Sequence, residues 1–199
     1  MAELFKLRAL WFIFPLMGVS YAISGAVRGL WIGPYLADVF DANTDVIGVA
    51  TLLMGVAMIV GTLAYGPLDK MLGSRKWMIA AGSLATLIAA TILIAQPSQS
   101  LALSVGLMCA IGFFGATYPV IMAHGRSFLP SHLIGRGVTM LNLFSIGGVG
   151  LMQFLSGRVY SGMAASQQTA TPYVAVFTLF AGCLAVGLVI YLFSRNNPD

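Results

Sequence analysis

Charge is the first thing this sequence lacks. Acidic and basic residues together make up 8% of its 199 positions, against about 25% in an average soluble domain, so a water-facing globular surface cannot be covered. Its six acidic residues are Glu3, Asp38, Asp41, Asp45, Asp69 and Asp199, and none stands inside a long apolar run. That removes the intramembrane carboxylates on which proton and sodium relays usually rely. Both histidines, His124 and His132, fall in one basic loop on this reading. The two cysteines, Cys109 and Cys183, sit in apolar runs, where a thiol acts as a small hydrophobe, and no His/Cys spacing suggests a metal. Ser156 and Ser161 have no histidine at their depth to activate them, and no phosphate-binding glycine loop is present. No enzyme, metal or cofactor is therefore expected. The net charge of +4 is spread thinly, which excludes a nucleic-acid partner.

What is present is apolar: 59% of residues are hydrophobic and the mean hydropathy is +0.92. A helix needs about 20 mostly apolar residues to cross a bilayer. By that ruler the chain holds six spans, at 9–36, 46–68, 77–95, 101–123, 138–157 and 173–193. The expected fold is all-α, one six-helix membrane domain over residues 1–199. Breaker clusters at 41–45, 96–100 and 161–172 separate the spans, and the period-2 alternation of a β-barrel is absent. A cleavable signal peptide is a competing reading of the start, with 3–8 as its basic region and 22–26 as its cleavage site. Pro15 interrupts its apolar core and the stretch runs on past Arg28, so the first span is expected to stay.

Six spans place Lys6, Arg8, Lys70, Arg75, Lys76, Arg126, Arg136 and Arg195 on one side, and only Arg158 with Asp38, Asp41 and Asp45 on the other. Basic residues stay cytoplasmic during insertion, so both termini are expected inside, in a plasma or inner membrane. Trp11 and Trp77 then fall at the inner interface, and Trp31, Tyr35 and Tyr173 at the outer one.

Small residues recur at helical spacing (Gly25, Gly29, Gly33; Ala81, Ala85, Ala89; Gly147, Gly148, Gly150), as close packing between membrane helices requires. Polar side chains concentrate on spans one, four and five, predicting a cavity lined by them together with span two, with three and six outside. Arg28 lies about 10 Å from the outer end of its span at 1.5 Å per residue. Tyr21, Ser24, Arg28, Trp31 and Tyr35 recur at steps of three and four, predicting one face. Three readings of Arg28 compete: direct contact with an oxyanion through its planar fork, a structural or gating pair, and snorkelling towards Asp38 or headgroups. Asn142 and Gln153 share a stripe on span five, flanked by Ser145 and Ser156; they either meet a solute or bond neighbouring helices. On span four Phe114 and Tyr118 form an aromatic pair beside Pro119, which frees a backbone carbonyl. Irregular backbone at membrane depth is tolerated where it lines a cavity.

The loop after span two reads Tyr65-Gly66-Pro67-Leu68-Asp69-Lys70-Met71-Leu72-Gly73-Ser74-Arg75-Lys76. It resembles the signature loop of the major facilitator superfamily, a glycine, Asp-Arg, one residue, then Gly-Arg-Arg/Lys. Lys70 stands for Arg and the spacing differs by single residues before Asp69, Gly73 and Arg75, as in the second-half copy of that loop. The stretch His124-Gly125-Arg126-Ser127-Phe128-Leu129-Pro130, followed by Gly135-Arg136-Gly137, resembles the loop between spans ten and eleven of such transporters. The resemblance implies one half, the C-terminal one, of a twelve-span fold whose site lies at the midplane between halves. It implies that Asp69, Lys70, Gly73, Arg75 and Lys76 form a cytoplasmic gate loop. It also implies a second six-helix half: a copy of this chain, a separate chain or an N-terminal portion. The functional expectation is a secondary transporter for a small organic solute, anionic if Arg28 contacts it, working by alternating access. Its cavity residues are Arg28, Tyr21, Trp31, Tyr118, Asn142 and Gln153. The competing expectation is a truncated or non-transporting membrane protein that serves as an assembly partner.

Overall fold

A computed structural model describes residues 2–163 and 168–196; the side chains of Ala2, Lys70 and Leu72 lie outside that description, as do residues 164–167 of the expected turn at 161–172. Every regular element among the described residues is helical, and six helices are long and apolar enough to cross a membrane. They are α1 (Arg8–Phe40), α2 (Thr44–Leu72), α3 (Arg75–Ala95), α4 (Leu101–Ser127), α5 (Ser131–Met163) and α6 (Thr171–Leu192). Most run a turn or more beyond the apolar stretch that announces them, and several ends are fixed by caps. The Asn43 side chain accepts from the Val46 amide at 3.0 Å and Ser100 from the Leu103 amide at 3.1 Å, satisfying amides that a helix start leaves unpaired. At the other ends, Asp41 and Gly73 adopt left-handed backbone, φ 51° and 61°, which stops α1 and α2.

In the bundle α1 packs on α5, α2 on α4, and α3 on α4 and α6, while α6 also meets α5 and α1, and α1 touches α2 and α4 as well. Of the apolar window of each helix, 61% is buried in α1 but only 17% in α2 and 22% in α5, so α1 is the central helix and its neighbours are flanks. The tightest approaches use glycine. Gly148 of α5 lies against the backbone of Gly18 in α1, and Gly61 of α2 against the Phe113 carbonyl in α4, with no room for a Cβ at either. Gly147 and Gly150, by contrast, look into open space. On α3 and α6 the surface is apolar: Leu84, Ile88 and Val186 are exposed, and Thr91 and Thr178 bond back to Leu87 and Val174 of their own helices.

Two helices are broken. In α1 a π-helical turn at Val27–Trp31 interrupts the α-helix. In α4 the α-helix stops at Phe114 and restarts at Tyr118, with Pro119 in its first turn. Neighbours take up the loosened backbone: Tyr65 of α2 donates to the Phe114 carbonyl at 2.8 Å and Ser24 of α1 to that of Ile111 at 3.1 Å. Ser20 shares a 2.6 Å hydrogen bond with Thr117 within the break. Without water, such groups must be satisfied by protein.

Candidate functional site

Arg28 and Tyr21 are seven residues apart on α1, two turns, and both face outward on the exposed strip of that helix. They line an open groove of about 430 Å³ against α2, whose wall is Leu52, Gly55, Val56, Met58, Ile59, Thr62 and Leu63. The guanidinium lies across Gly55: a Cβ there would stand 3.0 Å from Nε and 3.2 Å from Nη2. Among the described residues Arg28 forms no ion pair, the single one being Arg75 with Asp69.

From Tyr21 a polar line crosses the bundle. Its ring lies 5.6 Å from that of Tyr118, tilted at 49°, and the Tyr118 hydroxyl donates to Asn142 Oδ1 at 2.7 Å. Three candidates from α1, α4 and α5 are thus joined. The Asn142 carbonyl is spent on a neighbouring helix, one of the two roles expected for it. Gln153 comes close from the other side, its Nε2 about 3.9 Å from where a Cβ of Gly29 would stand.

Trp31 does not belong to this group. It is 5% exposed, its indole donates to Ser156 Oγ at 2.9 Å, and Ser156 donates in turn to the Gln153 carbonyl at 3.0 Å. The π-helical turn explains the difference: one extra residue in a turn rotates the rest of the helix by about 100° relative to a continuous α-helix. The five-residue face expected on span one is split: Tyr21 and Arg28 are outward, Trp31 and Tyr35 are turned inward at and beyond the π-helical turn, and Ser24, which precedes that turn, is buried where it bonds the Ile111 carbonyl. Ser145 is buried as well. Nor do Trp31, Tyr35 and Tyr173 form an exposed aromatic belt, although Trp11 and Trp77 are exposed. Trp31 packs on Tyr160 and Tyr173 at 5.0 and 6.2 Å between ring centroids, with Tyr35 against Tyr173 at 5.4 Å. Asp38 accepts from the Tyr173 and Tyr160 hydroxyls. This cluster ties α1, α5 and α6 together and engages Asp38, the carboxylate named in one of the three competing readings of Arg28.

At the opposite end Asp69 accepts from Arg75 Nε at 3.0 Å, across the left-handed turn at Gly73. Lys76 donates to the Ser194 carbonyl at 2.8 Å and lies over the Trp77 ring; the side chain of Lys70 is outside the described residues. Arg75 also borders, with Arg126 and Ser127, a cavity of about 500 Å³ beside Val138. His124, expected in a loop, is instead fully buried within α4, sharing hydrogen bonds with Tyr191 at 2.7 Å and the Arg195 carbonyl at 3.1 Å. A helix that continues to Ser127 carries it under the end of α6. Among the described residues no three His, Cys, Asp or Glu side chains converge as metal ligands would.

The chain matches no protein-family model, and no curated protein is similar to it. Sequence reasoning missed Gly55 and Thr62. A stripe at Leu52, Gly55, Val56, Ile59, Thr62 and Leu63 is visible on a helical wheel, but nothing marks Gly55 among 23 glycines until Arg28 is seen resting on it.

Proposed function

We propose that this chain is one six-helix half of a secondary transporter of the facilitator type, which carries a small organic anion across a plasma or inner membrane by alternating access. The observation that carries this reading is the placement of Arg28. It stands on the exposed strip of the most buried helix, inside a span, with no acidic partner among the described residues. A charge at the bilayer centre costs about 2.5–3.5 kcal/mol on insertion scales, so such a residue calls for a water-filled cavity and a counter-charge. Facing lipid, α3 and α6 would offer apolar surface, whereas the strip on α1 with Tyr118, Asn142 and Gln153 would face a second six-helix bundle. That bundle completes the cavity and is a copy of this chain, a separate chain or an N-terminal portion.

In this reading the protein is a carrier and not an enzyme. The excess of Lys and Arg at the Arg75 end supports an orientation with both termini cytoplasmic. The Asp69–Arg75 pair then acts as a cytoplasmic gate between α2 and α3, and the Asp38–Tyr160–Tyr173 cluster holds the outer ends. Reconstituted uptake, screened over organic anions and sugars, tests the proposal. A charge-assisted pair contributes about 1.5–3 kcal/mol, so Arg28→Ala should lose about ten- to a hundredfold in uptake of the carried anion. Uptake equal to wild type would remove Arg28 from the site.

A further inference from the structure

The chemistry of the Arg28 cavity narrows the solute class, an inference that rests on the transporter reading. The cavity holds one positive charge, and no carboxylate lines it. Its hydroxyls are few: Thr62 already donates to the Met58 carbonyl at 2.9 Å, which leaves it as an acceptor, while the Tyr21 hydroxyl has no partner among the described residues. The rest of the wall is apolar: Leu52, Val56, Met58, Ile59 and Leu63, with Gly55 beneath the guanidinium. Small-molecule sites of about 300–1,000 Å³ are built this way, mostly apolar with a few converging polar groups.

On the wall that this chain supplies, each alternative solute leaves a group unpaired. An ammonium group would find no acid here. A second anionic group would enter an apolar wall without a partner, and burying such a charge is costly. A neutral solute would leave the guanidinium unanswered. Gly55 fixes the geometry, because the absence of a side chain lets the guanidinium lie against α2, 3.0 Å from where a Cβ would stand.

We propose that this cavity selects organic monoanions with an apolar body, the anionic group on Arg28 and the body along Leu52, Val56, Ile59 and Leu63, and that Gly55 positions the guanidinium for them. A matched six-carbon series tests it: hexanoate, its dianion analogue adipate, its zwitterionic analogue 6-aminohexanoate and its neutral analogue hexanamide. Saturable binding of each radiolabelled compound is measured by equilibrium dialysis on the purified protein in its native assembly, second bundle included. Hexanoate should bind at least about tenfold more tightly than the other three. Arg28→Gln should erase its advantage over hexanamide, and Gly55→Val should weaken hexanoate by about tenfold while leaving hexanamide unmoved. Circular dichroism checks that each variant keeps its helices, and the wild-type preference decides the matter even where a variant does not fold. Equal binding of all four, a preference for adipate or 6-aminohexanoate, no saturable binding, or a hexanoate preference that survives Arg28→Gln would overturn the proposal. Vesicle uptake separates it from the reading beneath. Hexanoate that is bound with this preference but never carried overturns transport and leaves the site. Arg28-dependent uptake of a dianion or a zwitterion keeps transport and overturns the monoanion.

Discussion

Tyr118 and Asn142 show how one hydrogen bond can serve two ends. The 2.7 Å contact between them fixes the tyrosine ring beside Tyr21 and so shapes the neighbourhood of Arg28. Hydrogen bonds between membrane helices average only about 0.6 kcal/mol, because the unfolded chain in the bilayer also finds partners. A double-mutant cycle of Tyr118→Phe and Asn142→Leu, read by unfolding in mixed micelles, should return a coupling of about that size. A coupling near zero would mean that the two side chains act independently. At this scale the sequence is partly readable. Arg28, Tyr21, Tyr118 and Asn142 stand out because polar side chains are rare in apolar spans. Gly55 does not stand out, since a missing side chain acquires meaning only from the group that occupies its space.

At the scale of the helix, the outcome depends on whether the period is unbroken. Six apolar stretches of sufficient length are legible without a structure, since length and hydropathy alone decide them. The face each helix presents is less legible. Regular 3.6-residue spacing places Trp31 with Arg28, but the π-helical turn at Val27–Trp31 turns it into the bundle, and no residue in Val-Arg-Gly-Leu-Trp announces such a turn. The break in α4 is more legible, because Pro119 cannot donate to the preceding turn. The small residues divide in the same way: their spacing marks helix contacts, but only the fold separates Gly148, set against Gly18, from Gly147, which meets nothing within 4 Å. Gly148→Val should therefore destabilise the α1–α5 contact by about 1–3 kcal/mol, the usual cost of overpacking, whereas Gly147→Val should be close to neutral. Unfolding midpoints of the two variants check this, and equal losses would contradict it.

For the molecule as a whole, the arrangement is asymmetric. The central helix shows its polar strip on one side of the bundle, α2 and α5 flank it with little of their own surface buried, and α3 and α6 expose apolar side chains. The Asp69–Arg75 pair is partly exposed, and such a pair contributes about 0–1 kcal/mol, weak enough to open and close in the alternating access proposed above. Whether the strip on α1 meets water can be measured directly. In a background with Cys109 and Cys183 replaced by serine, cysteine is introduced singly by Thr62→Cys, on the α2 wall of the groove that Arg28 also lines, and by Val186→Cys, on the exposed apolar side of α6. Each is then exposed to a hydrophilic maleimide in intact membranes. A water-filled cavity at Arg28 predicts rapid labelling of the Thr62→Cys protein, slowed by the carried anion, and no labelling of the Val186→Cys protein. Equal inertness at both positions would contradict it, leaving Arg28 in lipid or sealed protein and the chain without a path for a solute.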